Sequence, residues 1–304
     1  MPRYAVIDVG TNSLKFNISE RREDGTWRTI VDRAEITRLG EGLEKTGEIN
    51  GEAMERTVTA IAGMASEART NGVAAIAAVG TMGMRVAHNS QHFIDEVEKR
   101  CGVRIEVIPG QEEGRLAYLA VKTGLGLAEG SLAIFDTGGG STQFTFGRGA
   151  SVEEQFSLNI GAVRLTAQYG LAGVVSPEQL RTALDAIAAE FSRIDNHPSP
   201  DALVGMGGAI TNIAAVKHQM AKYDPDVIQG SRIERAEVER QIELYRSRST
   251  EDRRNIAGLQ PKRADVILAG ACVVKTVMDK LRKQSLAVSD RGLRHGLLID
   301  RFGG

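Results

Sequence analysis

Two glycine-rich turns, each led by an aspartate, carry the residues of this chain that are best suited to chemistry. The segment DVGTNS, Asp8 to Ser13, follows the apolar run Tyr4 to Ile7, and the segment DTGGGST, Asp136 to Thr142, follows Leu132 to Phe135. Glycine lets backbone N–H groups approach a ligand closely, and Ser and Thr add hydroxyl donors, so each turn predicts an anion site. Because an aspartate repels a phosphate, we expect a cation or a water between the two.

The two turns lie 128 positions apart, at 136 minus 8. Their similarity predicts two related half-molecules that bind one phosphorylated ligand from opposite sides. For each aspartate taken alone, an alternative is that its side chain caps the turn that follows it. Two aspartates at equivalent places in two halves favour the metal-binding interpretation.

Length and composition indicate a two-domain globular protein. The chain has 304 residues, 42% of them hydrophobic and 25% charged, which is ordinary for a soluble protein. The sequence contains no run long enough to cross a bilayer and no signal-peptide pattern at the N-terminus, so it predicts a cytoplasmic protein without membrane attachment. A net charge of −1 gives no general attraction for nucleic acid. Cys101 and Cys272 lack paired spacing, which argues against a disulfide framework or a zinc site.

Strand and helix patterns alternate along both halves, which predicts an α/β layer fold. In the first half we expect strands at 4–7, 15–19, 27–31, 74–79 and 105–108, and helices at 51–70 and 90–99. In the second half we expect strands at 132–135, 143–146, one ending near 158, 202–205 and 286–289, and helices at 176–191, 232–254, 263–278 and 293–302. A third glycine turn, Met206 to Thr211, follows the strand at 202–205.

Seven ordered blocks carry a family resemblance that covers nearly the whole chain. They are Ile7 to Ser13, Gly80-Thr81 with Arg85 and Asn89, Pro109 to Leu116, Asp136 to Thr142, Ser157-Leu158 with Gly161 to Thr166, Arg263 to Gly270, and Gly292 to Arg294. With these blocks the chain resembles the exopolyphosphatase and guanosine pentaphosphate phosphohydrolase (Ppx/GppA) family, in its short two-domain form. The resemblance implies two actin-like, ribonuclease H-like domains with a cleft between them. We place domain I at 1–125, with the helix at 291–304 returning to it, and domain II at 126–290.

The same resemblance implies magnesium dependence and removal of a terminal phosphate by an activated water. Glu113 matches the glutamate that primes the water, and Arg85 is the expected cationic clamp on the phosphate. Asp136, and secondarily Asp8, are the expected ligands of Mg²⁺. As a bare sequence feature, the pair formed by Glu112 and Glu113 is more typical of an acidic first helical turn, and only the family block favours the catalytic interpretation.

The residues expected to bind phosphate lie on the three glycine turns. They are Gly10, Thr11, Asn12, Ser13, Lys15, Gly138, Gly139, Gly140, Ser141, Thr142, Gly207 and Gly208. Four positions depart from the family pattern. Ala209 replaces the usual threonine of the third glycine turn, and His295 replaces a common glutamate near the end. Lys15 stands where arginine is frequent, and Gln143 stands where the family usually has glutamate, so one carboxylate of the implied site is neutral here.

The reaction that we expect is hydrolysis of inorganic polyphosphate, with short chains as one option. An alternative within the class is conversion of guanosine pentaphosphate to tetraphosphate. A kinase of the same superfamily is less favoured because it needs an adenosine pocket around Gly205 to Gly208. From a different class, the Gln143 departure leaves open a weakly catalytic sensor that binds alarmone nucleotides or polyphosphate. A homodimer is the assembly expected from the general frequency of two-fold dimers and from the family.

Overall fold

The computed structural model describes residues 1–127 and 129–303. Ala128 and Gly304, which fall within the predicted ranges 126–290 and 291–304, lie outside the described residues. The chain divides into two compact units, Met1–Ala120 with Gly292–Gly304, and Val121–Arg291. The division falls inside the helix Gly110–Gly124, whereas the boundary placed from the sequence follows the end of that helix.

The first unit contains a five-stranded sheet in the order β3-β2-β1-β4-β5, with β2 antiparallel and β4 parallel to β1. Its strands are β1 (Arg3–Val9), β2 (Ser13–Arg21), β3 (Trp27–Ile36), β4 (Ala75–Gly80) and β5 (Ile105–Val107). Its helices are α1 (Leu43–Thr46), α2 (Gly51–Thr70), α3 (Met82–Val86), α4 (Ser90–Cys101), α5 (Gly110–Gly124) and, after the second unit, α13 (Leu293–Phe302).

Strand β1 is buried on both faces of this sheet, which fixes the position of the turn that follows it. Successive side chains of a strand point to opposite faces. Ala5 and Ile7 therefore pack in the cluster under α2 and α4, whereas Val6 packs with Leu297 of α13 on the other face. The turn at Gly10 thus begins at the carboxyl end of a rigid central strand.

The second unit contains a six-stranded sheet in the order β10-β11-β9-β6-β7-β8. Its strands are β6 (Ser131–Thr137), β7 (Thr142–Arg148), β8 (Ser151–Leu158), β9 (Ala202–Met206), β10 (Arg232–Glu234) and β11 (Ser285–Val288). Its helices are α6 (Ala162–Tyr169), α7 (Pro177–Glu190), α8 (Gly208–Lys217), α9 (Pro225–Ile228), α10 (Arg235–Arg246), α11 (Thr250–Arg253) and α12 (Ile267–Lys280), with 3₁₀ turns at Ser192–Ile194 and Pro261–Arg263. The apolar helix α12 packs against α6, α7, α8 and α10 and forms the centre of this core.

The two sheets share one topology, so the expected α/β fold with related halves is confirmed. Read from its other edge, the order β8-β7-β6-β9-β11 repeats β3-β2-β1-β4-β5, and β10 is an addition. Even a register irregularity recurs at the same offset of 128 residues (146 minus 18). It lies between Ile18 and Ser19 in the first unit and between Phe146 and Gly147 in the second.

Two of the predicted helices are wrong in their bounds. In the segment expected as one helix over 232–254, Arg232–Glu234 instead forms strand β10, because it pairs with β11 at the sheet edge. The helix expected over 263–278 begins at Ile267. Pro261–Arg263 form a 3₁₀ turn instead, and the carbonyl of Ala264 accepts a hydrogen bond from the buried Arg253 guanidinium (3.3 Å). Of the helices in the described residues, none combines the length and hydropathy that spanning a bilayer requires.

Helix α13 is attached to the sheet by a polar cluster centred on Asp32 of β3. The Arg294 guanidinium donates to both carboxylate oxygens of Asp32 (2.6 and 2.9 Å), and His295 Nε2 lies 3.3 Å from Oδ2. Burial raises the pKa of the Asp32 carboxyl, but hydrogen bonds from His295 and Arg294 outweigh it and lower the pKa to about 2. The ionised carboxylate therefore stabilises the fold.

We expect Asp32→Asn to destabilise the first unit by about 2 kcal/mol at pH 7, the equivalent of the pKa difference from 3.8 to about 2. Because the folded pKa is the lower one, this contribution is complete above pH 4 and disappears as the pH falls towards about 2. Urea denaturation at several pH values measures it. Glu23→Gln, at an exposed residue that has no ion pair within the described chain, is the control. Equal destabilisation by Asp32→Asn at pH 7 and at pH 2.5 would contradict this account.

Candidate functional site

The two aspartate-led turns adopt the same closing hydrogen bond. In the first loop, Gly10 to Ser13, the N–H of Gly10 donates to the carbonyl of Ser13 (3.1 Å). In the second loop, Gly138 to Ser141, the N–H of Gly138 donates to the carbonyl of Ser141 (2.9 Å). These first amides are therefore occupied, and anion binding depends on the amides that follow them.

The carbonyl oxygens of the first loop are bound by the segment after β3. The N–H of Gly40 donates to the Thr11 carbonyl (2.8 Å), and the N–H groups of Thr37 and Arg38 donate to the Asn12 carbonyl (3.2 and 2.9 Å). Within the described residues the amides of Thr11 and Asn12 have no acceptor. The loop is thus left with free donors and occupied acceptors, which is the requirement for binding an anion.

In the second loop, the carbonyl oxygens are bound by the N-terminus of a helix. N–H groups at the start of α6 donate to the carbonyl of Gly138 (3.0 Å) and to that of Gly139 (2.9 and 3.2 Å). Among the described residues, the amides at 139–141 have no acceptor. In contrast, Thr142 lies inside the sheet, where its hydroxyl donates to the Ile160 carbonyl (2.6 Å), so the structure gives its side chain a packing role.

The third turn requires glycine at position 207, and its second glycine lies close to an arginine side chain. Gly207 has φ +89°, and a Cβ there would lie 2.4 Å from Oδ1 of Asp136. A Cβ on Gly208 would lie 2.4 Å from the Arg263 guanidinium. The structure therefore brings Asp136, this turn and Arg263 together. Arg263 belongs to a recognised sequence block but was not predicted as a site residue, since nothing in the sequence placed it against a glycine far away in the chain.

The two aspartates differ in their surroundings. Asp8 is buried, and Oδ2 of its carboxylate lies 3.3 Å from Nζ of Lys15, the residue directly opposite on β2. Asp136 is partly exposed and faces Gln143 in the equivalent register. The first carboxylate already has a cation beside it, whereas the second faces a neutral amide. The two aspartates thus have different residues opposite them at equivalent positions of the two sheets.

Glu113 lies in the first turn of α5, where the predicted junction between strand and helix occurs. Its Oε2 is 3.1 Å from Nη1 of Arg85, which also donates to the Ile108 carbonyl (2.8 Å). Arg85 belongs to α3, whose Gly83 lies against Thr11, since a Cβ on Gly83 would be 2.8 Å from Thr11 Oγ1. The first unit thus assembles the glutamate, the arginine and the first loop.

The neighbouring Glu112 has a different partner. The Arg115 guanidinium donates to both of its carboxylate oxygens (2.8 and 2.7 Å) and also to Asp300 of α13 (2.6 Å). The hydrogen bonds from Arg115 hold the pKa of the Glu112 carboxyl below its usual value. Glu112 therefore serves to join α5 to α13, and Glu113 is the glutamate of the pair that faces Arg85.

Asn89, a residue of the recognised blocks, also has a structural role. Its side-chain amide accepts from the N–H of Ile49 and donates to the carbonyl of Ile49, both at 2.9 Å. The side-chain amide thus pairs with the backbone of Ile49 as a neighbouring strand would, and it holds the segment before α2 in place. The residue types alone gave no signal that distinguished this role from ligand binding.

The chain is similar in sequence to one protein family and to several characterised proteins. The sequence profile of the Ppx/GppA phosphatase family matches residues 18–303. The bifunctional 3-dehydroquinate synthase/phosphatase of Fusobacterium nucleatum is 28% identical over 97% of this chain, which spans 46% of that relative. Exopolyphosphatase 1 of Mycobacterium tuberculosis is 29% identical over 99% of this chain and 88% of its own length. The guanosine-5'-triphosphate,3'-diphosphate pyrophosphatase of Photobacterium profundum is 27% identical over 98% of this chain and 59% of its own length.

A solved structure with the same architecture comes from Aquifex aeolicus. The type II variant of its Ppx/GppA phosphatase superposes with a TM-score of 0.92 at 32% identity, covering 99% of this chain and 100% of the Aquifex chain. The fold described above is therefore that of a crystallised Ppx/GppA protein.

Proposed function

The chain belongs to the Ppx/GppA phosphatase family, and we propose that it hydrolyses the terminal phosphoanhydride bond of inorganic polyphosphate. The observation that carries the proposal is the assembly in the first unit. Glu113 and Arg85 are paired at 3.1 Å on elements that pack beside a loop with unoccupied amides. Water activation, charge neutralisation and phosphate binding are the three requirements for this reaction.

In the proposed reaction, Glu113 accepts a proton from water as the water oxygen bonds to the terminal phosphorus. The bond from that phosphorus to the bridging oxygen breaks, and the shortened chain leaves as the anion. Arg85 and the loop amides stabilise the negative charge on the transferred group. In the resting structure Arg85 holds the Glu113 carboxylate in one orientation, so the base is positioned before the substrate binds.

Magnesium is the proposed cofactor, with Asp136 as its first protein ligand and Asp8 as a secondary one. In the described residues no group of three or more His, Cys, Asp or Glu side chains could hold a metal ion. This fits Mg²⁺, which is usually bound by one or two carboxylates together with water and substrate phosphates. When bound, the ion would neutralise charge on the phosphate chain.

Guanosine pentaphosphate is the second candidate substrate, since one relative is named for acting on that nucleotide. A binding protein with little turnover is the third, because Gln143 leaves the position opposite Asp136 without a carboxylate. Phosphate release in the presence of Mg²⁺, measured with polyphosphates of several lengths and with guanosine pentaphosphate, separates the three. Binding without release from any substrate would favour the sensor.

We expect Glu113→Ala to lower turnover by roughly 10²- to 10⁴-fold, as is typical when a general base is removed. Binding of polyphosphate should stay nearly unchanged, because a base acts mainly in the transition state. The matched control is Glu112→Ala, which removes the bond to Arg115 and should leave turnover close to the original value. Steady-state phosphate release together with equilibrium binding measures both. Loss of activity in the control but not in Glu113→Ala would show that the wrong carboxylate had been assigned.

We expect Gln143→Glu to raise the affinity for Mg²⁺ or the rate. Gln143 lies opposite Asp136 in the strand register, and its Nε2 donates to the hydroxyls of Ser141 (2.7 Å) and Ser157 (3.3 Å). A glutamate could accept from the same hydroxyls and would add a second carboxylate beside Asp136. A magnesium titration of phosphate release measures the effect. A titration curve identical to that of the original protein would argue against a metal site at this position.

A further inference from the structure

The segment Thr37 to Glu41 donates hydrogen bonds to the carbonyls of the first loop, and it is itself held by an arginine of α2. Nε of Arg56 donates to the Thr37 carbonyl (2.6 Å), and its Nη2 donates to Oε2 of Glu41 (3.1 Å). Between these two contacts, Arg38 has φ +51°, a left-handed conformation that is uncommon for a residue other than glycine. Such a conformation persists where its surroundings impose it, and Arg56 is one of the groups that do so.

Peptide geometry connects Arg56 to the phosphate loop. In a planar trans peptide, the C=O of one residue and the N–H of the next point in opposite directions. The peptide between Thr37 and Arg38 therefore directs its oxygen at Arg56 and its N–H at the Asn12 carbonyl, at 2.9 Å. The next peptide, between Asn12 and Ser13, has its oxygen fixed in this way, so its own N–H points away from the segment.

The result is a chain of hydrogen bonds that begins at a charged group. The guanidinium polarises the first peptide, which in turn polarises the second, and such chains strengthen each member. Each peptide is also restrained in orientation by the bond to its oxygen. The amide of Ser13 thus receives both its direction and part of its donor strength from a side chain that lies on a different helix.

We propose that Arg56 is a positioning residue for anion binding at the first loop, acting through the peptides between Thr37 and Arg38 and between Asn12 and Ser13. The inference rests on the proposed function only for the identity of the anion, a phosphate group. The Arg56 side chain is 42% exposed and that of Glu41 56% exposed. An exposed ion pair of this kind contributes little to stability, so the contact with Glu41 does not by itself account for the arrangement.

The test uses the full chain and inorganic phosphate as the probe. Arg56→Met keeps the apolar stem and removes all donors, Arg56→Lys keeps one charged donor, and Glu41→Gln leaves the bond from Arg56 to Thr37 intact. Phosphate is titrated while the backbone amide resonances of Asn12 and Ser13 are followed by NMR, which reports the first loop alone. The thermal midpoint of each variant is measured in parallel.

We expect Arg56→Met to weaken phosphate binding at this loop about tenfold, in line with the loss of one hydrogen bond from a charged group. The Ser13 amide resonance should move in the free protein, because the peptide between Thr37 and Arg38 loses the donor that orients it. Arg56→Lys should recover part of the affinity, and Glu41→Gln should stay within about twofold of the original, as expected for a surface ion pair.

Unchanged phosphate affinity in Arg56→Met would overturn the proposal, as would a loss of affinity that accompanies an equal loss in Glu41→Gln. Absence of any phosphate-induced shift at Asn12 and Ser13 in the original protein would overturn it as well. The proposed function fails separately. If the original protein releases no phosphate from any substrate, yet Arg56→Met still weakens phosphate binding, the inference about Arg56 stands and the hydrolase assignment does not.

Discussion

The planarity of the peptide group is the constraint on which both candidate phosphate loops depend. A turn exposes carbonyl oxygens as readily as N–H groups, and an exposed oxygen would repel a phosphate. An anion site therefore needs donors elsewhere in the protein that bind those oxygens and so turn the amides outward. In the first unit a short segment after β3 supplies the donors, and in the second unit the start of α6 supplies them. Glycine residues alone would not turn the N–H groups outward and the carbonyl oxygens inward.

The two units share one topology but differ in the charge of the residue opposite the aspartate of each turn, Lys15 in the first and Gln143 in the second. Both turns follow a central strand and close with the same hydrogen bond, yet Asp8 faces Lys15 and Asp136 faces Gln143. A carboxylate with an ammonium group at 3.3 Å has part of its charge compensated by the protein. Equivalent positions of the two units thus place an ammonium group opposite one aspartate and a side-chain amide opposite the other.

Adjacent glutamates on α5 show how neighbours in sequence acquire separate roles. Successive residues of a helix project about 100° apart, so Glu112 and Glu113 face different surroundings. Arg115, one turn along the same helix, binds Glu112, whereas Arg85 from α3 binds Glu113. The first contact is local and joins α5 to α13 through Asp300. The second depends on the packing of α3 beside the first loop.

The amino-acid sequence by itself determined the family, the α/β class, the repeated halves and the positions of the three glycine turns, because apolar strands and glycine-rich turns are encoded by neighbouring residues. It also identified Glu113 and Arg85 as candidates. Only the tertiary structure decided that Arg232–Glu234 is a strand, that Arg263 lies over Gly208 and that Arg56 supports the first loop. Each of these depends on a partner far away in the chain, and a hydrogen bond or close approach between distant segments leaves no periodic signal in the residues that make it.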